Sequence, residues 1–66
     1  MMGGNLYPAL IRLLKDDGCK FVRSGKGSHE LWFSPRTNQN VTVPRNTVNR
    51  HTANKVLKDA GLPKAF

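Results

Sequence analysis

Residues 24–34 read Ser-Gly-Lys-Gly-Ser-His-Glu-Leu-Trp-Phe-Ser, a glycine-rich segment that leads into a run of large, β-forming side chains. The preceding residues 19–24, Cys-Lys-Phe-Val-Arg-Ser, are also typical of a β-strand. Two short strand-like runs that are separated by a glycine-rich turn predict an antiparallel hairpin. We therefore expect strands over residues 19–24 and 29–34, joined by a turn at 24–28.

The second strand is apolar on both faces, because Leu31, Trp32 and Phe33 are consecutive. Side chains alternate between the two faces of a sheet, so an inward-pointing Trp32 sends His29, Leu31 and Phe33 to the other face. We expect this orientation because a sheet of only three strands has one open face, on which aromatic surface is available for binding. Alternation then places Glu30 on the face opposite His29.

A third strand is predicted over residues 40–43, where Asn-Val-Thr-Val alternates between polar and apolar side chains. The turn before it is Pro-Arg-Thr-Asn at 35–38. Val41 and Val43 should face the core. Pro44 ends the strand because its nitrogen has no hydrogen to donate to a neighbouring strand.

One helix is predicted before the hairpin and another after the third strand, because apolar residues recur at helical spacing in both places. The first has Asn5 as its N-cap and Pro8 in its first turn, and it ends at Gly18. The second has Asn49 as its N-cap and ends at Gly61. The apolar positions are Leu6, Leu10, Leu13 and Leu14 in the first helix and Ala53, Val56, Leu57 and Ala60 in the second.

These elements predict an α+β fold with the order α-β-β-β-α, as a single domain over residues 1–66. Each helix has one apolar side that must be covered. Both helices should therefore pack on one face of a three-stranded antiparallel sheet and leave its other face exposed.

The length of 66 residues allows one small domain and excludes a Rossmann unit, a barrel or a buried cofactor pocket. No apolar stretch approaches the roughly 20 residues of a membrane-spanning helix. Cys19 is the single cysteine and has no partner for an internal disulfide, so we expect a cytoplasmic protein in a reducing compartment. We expect the Cys19 side chain to be packed and not reactive.

The basic residues are unevenly distributed along the chain. Residues 1–19 contain two basic and two acidic side chains, whereas residues 20–66 contain nine Lys and Arg against Glu30 and Asp59 and carry the whole net charge of +7. A surface of this density attracts polyanions, most often the phosphates of nucleic acid. An acidic protein, an anionic membrane surface, or charge that serves only solubility are the alternatives at this point.

His29 directly follows the glycine-rich turn, and imidazole is the side-chain group that titrates closest to neutral pH. Backbone N–H groups in such a turn can approach a phosphate closely, and Lys26 and Ser28 add a cation and a hydroxyl. A histidine in this place fits metal-free RNA cleavage, in which imidazole takes the proton of the 2′-hydroxyl or protonates the leaving 5′-oxygen. Nearby cations would stabilise the charge that develops on the phosphorane. The alternative is a surface histidine without a chemical role.

The other ligand-type side chains predict no further catalytic site. His51 lies near the start of the second helix, where the helix dipole disfavours imidazolium, so it suits a hydrogen bond or a phosphate contact better than acid catalysis. Cys19, His29 and His51 lack the close spacing of a zinc site. Ser28 and His29 point apart as neighbours on a strand and do not form a triad, and no carboxylate pair is available. We expect neither a metal nor a cofactor.

Five motifs follow one another along the chain, and the last three are the Gly-Ser-His, strand and helix segments discussed above. The five motifs are Leu-Leu-Lys-Asp-Asp-Gly (13–18), Phe-Val-Arg (21–23), Gly-Ser-His (27–29), Val-Thr-Val-Pro (41–44) and Val-Leu-Lys-Asp-Ala-Gly-Leu (56–62). In these motifs the sequence resembles the HicA toxins, small mRNA interferases of bacterial and archaeal toxin–antitoxin pairs. The resemblance implies a fold like that of double-stranded-RNA-binding domains (dsRBD-like) and metal-independent cleavage of mRNA, with the motif histidine, His29, as the catalytic residue.

The resemblance also implies a protein partner, a HicB-type antitoxin whose acidic domain covers the active face of the toxin in a hetero-oligomer. Opposite charges would steer their association. We expect the toxin alone to be a monomer, without a membrane partner. The sequence departs from the commonest family pattern after Pro44, where Arg45-Asn46-Thr47 replaces a histidine and a second proline. Arg45 can still contact a phosphate, but it does not titrate.

The sequence thus predicts an endoribonuclease with His29 as general acid or base. Four cations would hold the phosphates and two small residues would shape the turn; these are Arg23, Lys26, Arg45 and Arg50, and Gly27 and Ser28. A non-catalytic RNA-binding module with the same fold is the first alternative. An adaptor whose basic face docks an acidic protein is the second, and a steep salt dependence of RNA binding would argue against it.

Overall fold

The structure is a computed structural model that describes residues 4–66. Its elements are α1 (Tyr7–Asp16), β1 (Lys20–Ser24), β2 (His29–Ser34), β3 (Gln39–Pro44) and α2 (Arg50–Asp59). The strands form one antiparallel sheet in the order β1-β2-β3. The predicted order of elements is confirmed, with β1 one residue shorter at its start and β3 one residue longer at each end. Within residues 4–66, no helix has both the length and the apolar character needed to cross a membrane.

α1 begins one residue later than Asn5 would place it. Leu6 is the N-cap and its side chain makes no capping hydrogen bond. The Oδ1 of Asn5 instead accepts a hydrogen bond from the Tyr7 N–H at 3.1 Å, so Asn5 satisfies a donor of the first turn from just outside the helix. Pro8 lies in this first turn, as predicted. Gly18 follows the helix with a φ of 89°, the left-handed conformation that commonly ends helices.

α2 begins as predicted. Asn49 has extended backbone angles, and its side chain accepts a hydrogen bond from the His51 N–H at 2.7 Å. This is the usual geometry of an asparagine N-cap. At the other end, the N–H groups of Gly61 and Leu62 donate to the carbonyls of Lys58 and Leu57. The last carbonyls of the helix are therefore satisfied as the chain turns away.

The core lies between the two helices and one face of the sheet. The predicted inward orientation of Trp32, Val41 and Val43 is confirmed, since Trp32 is only 4% exposed and both valines are buried. The helices cover this face with their apolar sides, chiefly Leu10, Ile11, Leu14, Ala53, Val56, Leu57 and Ala60. Cys19 is buried beside them, and this burial raises the pKa of its thiol. It is packed, as predicted.

A buried carboxylate joins α1 to the sheet. Glu30 on β2 is 9% exposed, and its Oε1 accepts hydrogen bonds from the Tyr7 hydroxyl at 2.6 Å and from Trp32 Nε1 at 3.0 Å. A buried carboxylate is costly unless donors satisfy it, so the two bonds account for its position in the core. Burial and the hydrogen bond to Glu30 raise the pKa of Tyr7 to about 12.

The Tyr7 hydroxyl is predicted to make folding stability fall at alkaline pH. Folded Tyr7 keeps its proton up to a pKa of about 12, whereas the unfolded chain loses it near 10.0. Between these values the unfolded state binds fewer protons, so the stability present below pH 10 is lost as the pH rises toward 12. Urea unfolding should show a steeper loss for the wild type than for Tyr7→Phe over this range. If the free energy of unfolding of both proteins fell equally with pH, the result would contradict the hydrogen bond between Tyr7 and Glu30.

Candidate active site

The turn between β1 and β2 is closed by two backbone hydrogen bonds. The Gly25 N–H donates to the His29 carbonyl at 2.8 Å, and the His29 N–H donates to the Lys26 carbonyl at 3.2 Å. Gly27 has a φ of 60°, a conformation that glycine adopts without the steric cost of a side chain. Among the hydrogen bonds within residues 4–66, none uses the N–H of Lys26, Gly27 or Ser28. Three backbone donors of the turn are therefore available to an anion.

The carbonyl of Lys26 also contacts the His29 side chain. Nδ1 of the imidazole lies 3.3 Å from this oxygen. A neutral imidazole that donates from Nδ1 carries its lone pair on Nε2. The turn therefore selects the tautomer in which Nε2 can take a proton. The side chain is exposed, so this nitrogen is accessible to a substrate.

The predicted face of His29 is confirmed, since it lies opposite the buried side of β2. Directly paired strand residues share a face of the sheet. His29 pairs with Pro44, and Leu31 pairs with Thr42. The open face around His29 thus presents Leu31 and Thr42. Thr42 was not singled out from the sequence, although the same alternation that sends Val41 and Val43 inward sends it outward.

A β-bulge brings Arg23 onto the same face as His29. The register pairs Phe21 with Trp32 but then pairs Arg23 with Leu31, with the irregularity between Phe21 and Arg23. Strict alternation would have placed Arg23 on the side of Phe21 and the core. The extra residue of the bulge shifts the alternation by one position, so the Arg23 side chain lies on the open face instead. Arg23 is exposed on the open face and can act on the same ligand as His29.

A shallow cavity of about 300 Å³ lies at this end of the sheet. It brings together three of the predicted site residues, Arg23, Lys26 and His29. The other lining residues are Gly25, Glu30, Leu31 and Thr42. One imidazole and two cations line the same open depression, which suits a phosphodiester better than an apolar ligand.

Arg45 lies beside the turn, although it does not line the cavity. Its N–H donates to the Ser28 carbonyl at 2.7 Å, and its own carbonyl accepts from Asn5 Nδ2 at 2.9 Å. Asn5 also accepts from the Thr47 N–H at 3.0 Å. Asn5 therefore anchors the loop that presents Arg45. Sequence patterns predicted only a local capping role for Asn5, because this contact joins residues that are far apart in the chain.

The other residues that the sequence predicted for the site lie outside the cavity. Gly27 and Ser28 form the exposed tip of the turn. Arg50 is the first residue of α2, outside the cavity that contains His29. His51 follows it, exposed, and lines a different groove with residues of α2 and the C-terminal tail. The cation set predicted from the sequence is therefore divided between the cavity, the adjoining loop and α2.

The carboxylate nearest to His29 in the sequence does not orient its ring. The Oε1 of Glu30 is occupied by Tyr7 and Trp32, and the ring contact of His29 is a carbonyl. In this arrangement no hydrogen bond joins the carboxylate of Glu30 to the His29 ring. In the part of the chain that the structure describes, no three His, Cys, Asp or Glu side chains form a group that could hold a metal ion.

A family model described as "HicA toxin of bacterial toxin-antitoxin" matches residues 8–62. The chain belongs to the HicA toxin family. The matched segment contains all three strands, α2 and the cavity residues from Arg23 to Thr42. Its members are toxins of bacterial toxin–antitoxin systems, and this chain is one of them. Searches of curated proteins and of solved structures find no match to the chain.

Gly27→Ala is predicted to destabilise the protein by about 1 kcal/mol, because an alanine at a φ of 60° is strained even where space is free. Gly25→Ala is the matched control. Its φ is not positive, and its Cβ would lie 3.5 Å from the His29 carbonyl oxygen, an ordinary contact. Urea unfolding should show a loss for Gly27→Ala and little change for Gly25→Ala. Equal losses of stability in the two variants would contradict the left-handed conformation of Gly27.

Proposed function

We propose that this HicA toxin is an endoribonuclease that cleaves mRNA without a metal ion, with His29 as the general acid–base. The observation that carries the proposal is the His29 imidazole, held by the Lys26 carbonyl at 3.3 Å within a cavity that Arg23 also lines. Family membership supports the same assignment, since the Gly-Ser-His motif at 27–29 lies inside the matched segment. The free N–H groups of the turn supply the anion-binding element.

The proposed reaction begins with a phosphate seated on the turn. The N–H groups of residues 26–28 and the cations of Arg23 and Lys26 contact its non-bridging oxygens. Nε2 of His29 takes the proton of the 2′-hydroxyl, and the 2′-oxygen attacks phosphorus. The bond to the 5′-oxygen then breaks, and that oxygen gains a proton from imidazolium or water. The products are a 2′,3′-cyclic phosphate and a 5′-hydroxyl.

Unpaired mRNA is the substrate that fits this reaction best. Attack by the 2′-oxygen requires it to align with the leaving 5′-oxygen, and a duplex backbone resists that rotation. The depression is open and shallow, so a flexible strand can adapt to it. The exposed turn offers backbone N–H groups and a lysine, which suit contacts to the phosphates of such a strand.

The proposed partner is a HicB-type antitoxin that covers the same face in a hetero-oligomer. Within residues 4–66, the basic side chains found in ion pairs are Arg36 with Asp17 and Lys55 with Asp59. Arg23, Lys26 and Arg45 are therefore available to an acidic surface. Opposite charges favour fast association, which suits a protein that must silence a toxin. We place this pair in the cytoplasm, with the free toxin monomeric.

His29→Ala is predicted to lower the rate of RNA cleavage at least about 100-fold, the usual contribution of a general acid–base. Thermal unfolding and affinity for an uncleavable RNA should change little, since the side chain is exposed. Induction of the wild type should arrest growth and degrade mRNA, and induction of the variant should do neither. Equal cleavage by both proteins would remove His29 from the chemistry.

Cleavage by the wild type is also predicted to persist in excess EDTA, because no step of the proposed reaction uses a metal. Activity that is lost in EDTA and restored by a divalent ion would contradict the mechanism. If the wild type binds RNA with a steep salt dependence but never cleaves it, the chain is a non-catalytic RNA-binding module.

A further inference from the structure

A second basic surface lies on α2, on the side that faces away from the core. It is a groove of about 440 Å³ between α2 and the C-terminal tail, here called the α2–tail groove. Its lining residues are His51, Asn54, Lys55, Lys58, Leu62 and Lys64. The buried residues Ala53, Val56 and Leu57 occupy the opposite side of the helix. The groove is therefore separate from the cavity that contains His29.

Hydrogen bonds of the Asn54 side chain and apolar packing together hold the tail along α2. Asn54 Oδ1 accepts hydrogen bonds from the N–H groups of Ala65 at 3.2 Å and Phe66 at 3.0 Å. Its Nδ2 donates to the Phe66 carbonyl at 3.1 Å. Leu62 and Phe66 also pack against the core. The tail is thus fixed along α2, and Lys64 lines the same groove as Lys58.

The groove has a strong excess of positive charge. None of its lining residues is acidic. Within the described part of the chain, Lys58 and Lys64 have no ion-pair partner. Lys55 contacts Asp59 at 3.1 Å, but both side chains are well exposed, so this pair is weak and easily displaced.

We propose that the α2–tail groove is a second phosphate-binding site, which holds the backbone of the substrate RNA away from the scissile bond. The proposal rests on the proposed function, because it assigns this surface to the same RNA. The chemistry favours RNA over an acidic protein. Protein interfaces are depleted of lysine at their centres, whereas nucleic-acid interfaces are polar and strongly basic. The groove offers three lysines, an asparagine and a histidine, with Leu62 as its apolar residue.

One strand of RNA would reach both sites by following the short loop that connects β3 to α2. His29 pairs with Pro44 at the end of β3, and only the loop over residues 45–49 separates that strand end from α2. Arg45 is the first residue of this loop, and Arg50 follows the loop as the first residue of α2. A strand of RNA that leaves the cavity can pass these two cations and enter the groove at His51. The groove therefore extends the contact with RNA and does not take part in the cleavage.

The test compares the double variant Lys58→Gln/Lys64→Gln with the control Arg12→Gln/Lys15→Gln, which removes two exposed charges from α1. The probe is a single-stranded RNA with 2′-O-methyl groups, long enough to span both sites and resistant to 2′-hydroxyl attack. The groove variant should bind it about tenfold or more weakly than the control at low salt. Its slope of log affinity against log salt should fall by about one to two.

Two further measurements separate this site from the catalytic one. The groove variant should cleave a dinucleotide substrate as fast as the control does, because a dinucleotide is too short to reach α2. Asn54→Ala removes three hydrogen bonds to the tail without changing the charge. Like the lysine substitutions, it should weaken binding of the long probe. Unchanged affinity would contradict the role of the tail.

The outcomes distinguish failure of this inference from failure of the proposed function. If the wild type cleaves RNA but the groove variant binds the long probe like the control, the groove is not an RNA site and the inference is wrong. If the groove variant loses affinity while the wild type cleaves no RNA, the inference holds and the proposed function fails. If the lysine substitutions weaken binding of polyglutamate but not of RNA, the surface is for an acidic protein and the inference is wrong.

Discussion

The buried carboxylate of Glu30 is the constraint on which the site depends. Its hydrogen bond from Tyr7 joins the first helix to the central strand, and its hydrogen bond from the buried Trp32 satisfies a second polar group on the same face. Because side chains alternate along a strand, the burial of Glu30 and Trp32 on one face sends His29 to the open face. A slip of one residue in register would bury His29 and expose Trp32. The chemistry on one face is therefore positioned by polar packing on the other.

Much of the fold could be predicted from local patterns. The apolar spacing of both helices, the cap at Asn49 and the alternation around Val41 all act within a few residues, and the structure confirms them. Other features depend on contacts between distant parts of the chain. The bulge that turns Arg23 outward has no signature in the alternation, and the bond of Asn5 to Arg45 spans 40 residues.

In the candidate site, too, local features could be predicted from the sequence and long-range ones could not. The sequence places His29 beside a glycine-rich turn, and the structure adds the carbonyl that selects its tautomer. Whether Arg45 and Arg50 share a cavity with His29 depends on the tertiary fold, which places them in the loop and on α2 instead. The basic surface thus has two separate parts, a cavity lined by Arg23, Lys26 and His29 and a groove lined by three lysines and His51. Under the proposed function, RNA and an acidic antitoxin would compete for the cavity that contains His29.

The chemistry of the RNA ends tests the central claim most directly. A purified protein and a defined single-stranded RNA suffice, with fragment ends identified by mass spectrometry and with a matched RNA that carries one 2′-deoxy sugar at the cleavage site. Attack by the 2′-oxygen with His29 as base predicts 2′,3′-cyclic phosphate and 5′-hydroxyl ends, and no cleavage at the deoxy position. Fragments with 5′-phosphate ends, or cleavage at the deoxy position, would contradict the account.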